Sequence, residues 1–486
     1  MGDLLFDGSV LDRSAATPLH RQLYDYIRDL IAHRILTPET RLPATRQLAE
    51  NLGISRNTVV AAYAQLESDG LVVARHGSRC QILASLSTPP ESASQMEPHF
   101  GTADLLSRRG TLMAGQIVHT AIPGQVAFHP GTPDLRQFPF KTWRKLLSRQ
   151  LQATTQHYFG YHSISGHPPL RAAIARNLAT SRGVRCEPEQ VIVTTGAQAA
   201  LDLLARLLLD PGDTAWMEEP GYPGAHNAFA AAGASVVALP VDEEGWHVDR
   251  VAGAPPRLIY LTPSCHAPLG VTMTVGHRRQ LAEVARRSGA WIIEDDFDAE
   301  YHFTGPVLPA IQGLDAAGRT IYLGTFAKAV FPALRIGFVV LPRALAERVE
   351  SAVFYAGAYA PLVLQGTLAA FMDDGHFARH LRRMRLLYAE RRRIFCDLCQ
   401  SYLARWLEPI EGYAGMQTSW WLRRPVEDRL LAQEARRQSI VLTPLSEFYH
   451  HGRPRQGLIL GFAALREAEM HLGLRTLRDL LETIAG

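Results

Sequence analysis

Over most of this chain, short apolar runs alternate with helical patterns, and no other feature narrows the possible folds so far. QVIVTTG (190–196), RLIYLTP (257–263), AWIIEDD (290–296) and TIYLGTF (320–326) are each short and continuously apolar at their centres. Strands of that kind are buried on both faces, as in a parallel sheet covered by helices. Helical stretches such as ALDLLARLLLD (200–210) and RRQLAEVARRSG (278–289) fall between them. Strand and helix in alternation specify an α/β domain with a mainly parallel sheet. Ligands of such sheets sit at the carboxyl ends of the strands.

The alternation does not cover the whole chain. ASLSTPPESASQMEPHF (84–100) is rich in Ser, Pro, Glu and Gln, lacks a hydrophobic period and reads as a linker. With 486 residues there is room for two or three cores. The division expected is 1–83, a linker over 84–114, and 115–486. Composition excludes several classes. The apolar share of 47% and charged share of 20% suit a soluble globular protein, and a net charge of +3 announces neither nucleic acid nor membrane globally. No apolar run approaches the ~18 residues of a membrane span, and MGDLLFDGSVLDRS has no signal-peptide pattern. Five cysteines, an odd number, suit a reducing cytoplasm. Cys396 and Cys399 form a CxxC in an amphipathic helical pattern. Without a second pair they read as structural, and no metal site is expected.

Upstream of the linker, PLHRQLYDYIRDLIAHRIL reads as one helix, and ATRQLAENLG as a second ended by Gly53. Ser55 suits the N-cap of a third helix, SRNTVVAAYAQLESDG, ended by Gly70. LVVARHGSRCQIL then reads as a hairpin with its tip at 76–79. Two helices joined by a tight glycine turn and followed by a hairpin make a winged helix-turn-helix. The third helix begins with Arg56, Asn57 and Thr58, where such helices meet base edges and phosphates.

Downstream, lysine usage singles out one position. Only three of the 50 Lys plus Arg residues are lysine: Lys141, Lys145 and Lys328. Lys328 lies in YLGTFAKAVFPALRIGFVV (322–340), just past a strand-like run. Lysine can lose its proton and form an imine, which arginine cannot. Another strand-like run ends in Asp295 and Asp296. A third passes through Gly196 into a helix whose first N–H groups suit a phosphate. Thr325 and Arg335 add a hydroxyl and an anion clamp, and Tyr222 in EEPGYPGAH offers a flat ring face. Taken singly, each residue has an ordinary structural reading as a cap, a turn or core. Together they match one ligand with an aldehyde, a protonatable ring nitrogen, a phosphate and a planar ring: pyridoxal 5′-phosphate.

RLPATRQLAENLGISRNTVVAAYAQLESDGLV resembles the DNA-binding domain of GntR-type bacterial regulators. That resemblance implies DNA contacts from Arg46, Arg56, Asn57, Thr58, His76 and Gly77. Residues 115–486 resemble the fold-type I aminotransferases, including FHPGTPDLRQFP (128–139) near their start. The joined chain resembles the MocR subfamily. The resemblance implies a Schiff base at Lys328, a pyridinium partner in Asp295 and ring stacking by Tyr222. It implies phosphate contacts from Gly196, Ala197, Gln198, Thr325 and Arg335. It also implies that Tyr161, in YFGYHSISGHPPLR, reaches the phosphate site of a partner subunit in a head-to-tail homodimer.

Three departures from the aminotransferase pattern stand out. Phe297 occupies the place of a tyrosine that bonds the ring oxygen. Ala267, after Cys265 and His266, occupies the place of an asparagine. Ile459, in QGLILGFAAL, occupies the place of the arginine that clamps a substrate carboxylate, with Arg453 and Arg455 nearby in sequence. The expectation is a cytoplasmic, pyridoxal-phosphate-dependent transcription regulator. Its aminotransferase-like domain senses an amine, an amino acid or the cofactor itself, with at most residual half-transamination. The alternative is a working aminotransferase carrying a DNA-binding head.

Overall fold

The computed structural model describes residues 6, 11–33, 35–38, 40–75, 79–83, 106–114, 125–152, 164–303, 307–412 and 414–485. The chain forms two compact units, 1–105 and 106–486.

In the first unit, helices span Leu19–Ala32, Thr45–Leu52 and Arg56–Ser68, followed by antiparallel strands Val72–Arg75 and Arg79–Ile82. Apolar residues at helical spacing meet in one core of Leu23, Ile27, Leu48, Val59 and Leu66, closed by Val72 and Ile82. Gly53 ends the second helix in the left-handed region, with φ 62° and ψ 34°. The Thr58 N–H then donates to the Ser55 Oγ at 3.1 Å, which starts the third helix within two residues of that turn. The fold is the winged helix-turn-helix expected. The hairpin tip, with His76 and Gly77, lies outside the described residues.

The second unit is built on an eight-stranded sheet. Its spatial order is Val191–Thr194, Gly337–Val340, Thr320–Thr325, Trp291–Asp295, Leu258–Leu261, Thr214–Glu219, Ser235–Asp242 and Gly245–Trp246. The five strands from Thr320–Thr325 to Ser235–Asp242 run parallel to one another. Gly337–Val340 is antiparallel to both of its neighbours, as is Gly245–Trp246 at the other edge. All four apolar runs are strands of this sheet. Val191–Thr194, Leu258–Leu261 and Thr320–Thr325 are buried along their whole length, because helices cover both faces. Each fully buried Leu, Ile or Val contributes about 1.5–3 kcal/mol relative to exposure.

A second sheet orders Leu407–Pro409, Gln417–Leu422, Gly457–Gly461 and Thr443–Pro444, all antiparallel. The 28-residue helix His376–Leu403 carries Cys396 and Cys399, and Cys399 is wholly buried in the core. A helix at Arg108–Ala114, inside the stretch expected to be linker, packs against the helix Pro223–Ala232.

Strand register sets up the site. Leu323 pairs with Asp295, Thr325 with Gly337, and Gly337 with Thr194. Three strands from distant parts of the chain therefore end side by side, and their following loops converge.

Candidate functional site

At those strand ends lies a cavity of about 400 Å³. Gly196, Ala197, Gln198, Tyr222, Asp295, Phe297, Thr325, Lys328 and Arg335 all line it. These are the residues singled out for the ligand, except Tyr161, which lies outside the described residues.

At one end of the cavity the strand Val191–Thr194 passes through Gly196, with φ 93°, into the helix Ala197–Leu208. The first N–H groups of that helix have no partner within it. Arg335 is held in the left-handed region, with φ 50° and ψ 39°, which only glycine adopts without cost. In this conformation a Cβ on Gly196 would lie 3.6 Å from the Arg335 guanidinium, and Nη2 reaches the Thr195 carbonyl at 3.3 Å. Strain of this kind persists where the surroundings hold it, and here it aims a cation at a helix start. A Cβ on Gly337 would come within 2.9 Å of Gly196 and Ala197 backbone, so this wall admits glycine alone. Together the helix start, Thr325 and Arg335 fit a phosphate.

At the other end stands Asp295. The Tyr260 hydroxyl donates to its Oδ2 at 2.8 Å, while Oδ1 is buried without a partner. Burial pushes this carboxyl up to about 7, the Tyr260 hydrogen bond pulling it the other way. A buried carboxylate oxygen facing a cavity with no donor is costly, and a ring N–H would satisfy it. Its neighbour Asp296 points elsewhere, since successive strand side chains alternate faces. Asp296 forms a buried pair with Arg182 at 2.7 Å and accepts the Tyr322 hydroxyl at 2.6 Å.

Between the two ends, Lys328 Nζ donates to the Gly131 carbonyl at 2.7 Å. Burial lowers its pKa below the ordinary lysine value, with Asp298 and Asp295 opposing. Gly131 has φ 59°, and a Cβ there would stand 2.3 Å from Nζ. Tyr222 lies at the mouth, 36% exposed, with its hydroxyl on Gln198 Oε1 at 3.2 Å. The phosphate cradle, the amine and the unpartnered carboxylate oxygen thus fit the phosphate, aldehyde and ring nitrogen of a pyridoxal phosphate.

The departures take definite places. Phe297 and Ala267 line the cavity and bring no donor to it. His266 is wholly buried behind the wall, where the Leu269 N–H donates to its Nδ1 at 3.3 Å. Its Nε2 lies 3.8 Å from Glu218, and burial lowers the imidazole to about 3. Ile459 is wholly buried in a core with Trp246, Trp421 and Leu445. Arg455 sits 4.0 Å over the Trp421 ring and 3.4 Å from Glu243.

Sequence reasoning missed four residues here. Gly131 and Tyr260 contact Lys328 and Asp295, and Gln417 lines the cavity. Asp298, wholly buried, accepts the Met416 N–H at 2.9 Å and acts on Lys328. Tyr260 carried a signal, as the one polar tip in an otherwise apolar buried strand. Gly131 carried none, because its partner lies 197 residues away.

In the first unit, Arg46, Arg56 and Asn57 are exposed, and Thr58 is half-buried with its hydroxyl 2.8 Å from Ser55 Oγ. Arg56 and Asn57 open the third helix, which leaves their side chains clear of the core.

Residues 126–477 match the aminotransferase class I and II family, and residues 19–82 the gntR family of bacterial regulatory proteins. The chain is 48% identical to the probable rhizopine catabolism regulatory protein MocR of Rhizobium meliloti. That match covers 97% of this chain and 95% of the relative. It is 30% identical to the HTH-type pyridoxine biosynthesis transcriptional regulator PdxR of Corynebacterium glutamicum, over 95% and 96% of the two chains. In structure it is similar to LysN, an α-aminoadipate aminotransferase of Thermus thermophilus solved with N-(5′-phosphopyridoxyl)-L-leucine. The TM-score is 0.71 at 27% identity, over 79% of this chain and 99% of that one.

Proposed function

This chain belongs to the MocR-type transcriptional regulators, a GntR-family head joined to an aminotransferase class I and II domain, and on that premise we propose that it reads an amine or amino acid through pyridoxal phosphate held at Lys328. One observation carries the reading: Lys328 and the unpartnered Oδ1 of Asp295 face the same cavity, across from the Gly196 helix start. When bound, the cofactor supplies an aldehyde that forms a Schiff base with an amine. The chain's own residues do the rest. Asp295 holds the proton of the ring nitrogen, Gly196 to Gln198 with Thr325 and Arg335 hold the phosphate, and Tyr222 covers the ring face. Gly131 keeps Lys328 Nζ aimed into the cavity through its carbonyl.

In this reading the domain senses and does not run a full catalytic cycle: Phe297 and Ala267 bring no donor to the cavity, and His266 is wholly buried outside its lining. Arg46, Arg56, Asn57 and Thr58, with His76 and Gly77 at the hairpin tip, contact operator DNA in the cytoplasm. Two chains associate head-to-tail, with Tyr161 reaching the partner's phosphate site. Occupancy of the cavity alters operator affinity only to the extent that the two DNA-binding states differ in ligand affinity.

The test is an absorption spectrum before and after borohydride, beside Lys328→Ala. The wild type shows a visible band that borohydride fixes onto the Lys328 peptide, and the variant shows none. A wild type without that band, even with added pyridoxal phosphate, overturns the reading.

A further inference from the structure

The charges around the cavity restrict what it can take in. Among the described residues its lining carries two cationic side chains, Lys328 and Arg335, and one carboxylate, Asp295. Arg335 stands at the Gly196 helix start, and Lys328 is the amine assigned above to the cofactor, its Nζ on the Gly131 carbonyl. The remaining lining residues are uncharged, among them Tyr260, Ala267, Phe297, Gln417 and Phe448. No further cation among the described residues lines it, Arg453 and Arg455 included. Ile459 is wholly buried in an apolar core, and Arg455 lies over the Trp421 ring and beside Glu243 on the exposed surface. A carboxylate brought against this wall would lose its hydration without gaining a cation, and such burial is strongly unfavourable. Gln417 is 8% exposed on the same wall and offers a neutral donor and acceptor.

We propose that the effector is a primary amine without a carboxylate, whose other polar groups are neutral hydroxyls or amides facing Gln417. This inference rests on the reading that Lys328 carries pyridoxal phosphate. The effector's nitrogen bonds to the cofactor carbon that Lys328 holds, and the bond to Nζ breaks. Nζ leaves with a proton taken from the incoming amine, and no electrons are transferred.

The experiment titrates the cofactor-loaded full-length protein with matched pairs that differ only in the carboxylate. Ethanolamine is set against L-serine, and 2-phenylethylamine against L-phenylalanine. Displacement of Lys328 is scored by mass spectrometry after borohydride, as the fraction of cofactor no longer fixed to the Lys328 peptide. In each pair the amine displaces Lys328 at concentrations at least tenfold lower than the amino acid. Ile459→Arg narrows or reverses that preference. Gln417→Arg, which adds a cation from the lining itself, does the same should the buried arginine prevent folding. Amino acids acting at equal or lower concentration, or no displacement by any member of either pair, overturn the proposal. Failure to find any cofactor on Lys328 of the untreated protein defeats the underlying reading instead.

Discussion

The two units hold their functional groups in opposite ways. The winged helix-turn-helix keeps Arg46, Arg56 and Asn57 exposed on a small apolar core, and that core contains no buried carboxylate among the described residues. The large unit buries Glu218, Glu294, Asp295, Asp296 and Asp298 at or near the ends of its strands. A surface that meets a polyanion needs charges in water, where they cost little to hold and act by position. A site that binds and tunes a small molecule needs charges removed from water, where each must find a partner or shift its pKa. Substitutions in the head therefore act through local caps and exposed side chains. Those in the large unit act through burial and close approach.

The largest effect expected from that contrast is at Gly131. Gly131→Ala places a methyl 2.3 Å from Lys328 Nζ on a backbone at φ 59°. It displaces the lysine and prevents cofactor attachment, read as loss of the borohydride-fixed band, while operator fragments bind at unchanged affinity. A variant that keeps the band shows that the loop yields, and the rigid-wall side of the comparison falls.

Asp295→Asn gives the next effect, and its sign depends on pH. The folded pKa is raised to about 7 from 3.8. The native protein without cofactor thus holds a proton that the unfolded chain releases, and its stability falls as pH rises from about 4 through 7. The asparagine variant lacks this slope. Without cofactor it is more stable than wild type at pH 8 by on the order of 4 kcal/mol, and the two converge near pH 4. Denaturant midpoints across that range decide it, and parallel curves would falsify the buried-charge account. With the cofactor added the order reverses at pH 8, because only wild type partners the ring nitrogen.

In the head, Arg56→Ala weakens operator binding by about 1–3 kcal/mol and lowers its salt dependence. Gel-shift titrations at two salt concentrations measure both quantities, and the cofactor band stays unchanged. Ser55→Ala has the smallest effect. Loss of the cap to Thr58 N–H costs the head about 1 kcal/mol, seen as faster hydrogen exchange in the helix Arg56–Ser68. Any change in cofactor binding from this variant would blur the separation between the units.

Legibility followed the same division. In the head the signals are local. Gly53 takes the left-handed turn, Ser55 caps the next helix, and the apolar spacing of one helix meets that of another a few residues on. In the large unit the strands were legible because burial on both faces leaves continuous apolar runs. That Gly196, Asp295, Thr325 and Lys328 would share one cavity was legible because each stands at or just past the end of such a run. The places of Asp298 and Gln417 were not, since each depends on which face of a strand or loop the packing turns inward.

The amino-acid sequence by itself determined the two kinds of unit, many of their elements and the lysine that stands at a strand end. All of these are written in periods of a few residues and in the chemistry of single side chains. The tertiary structure alone decided which groups meet. It set Gly131 against Lys328 across 197 residues, left one oxygen of Asp295 without a partner, and turned Ile459 into the core. Contacts of that range arise only when strand order and register are complete. No local pattern encodes them, because their energy comes from surfaces that close packing brings together.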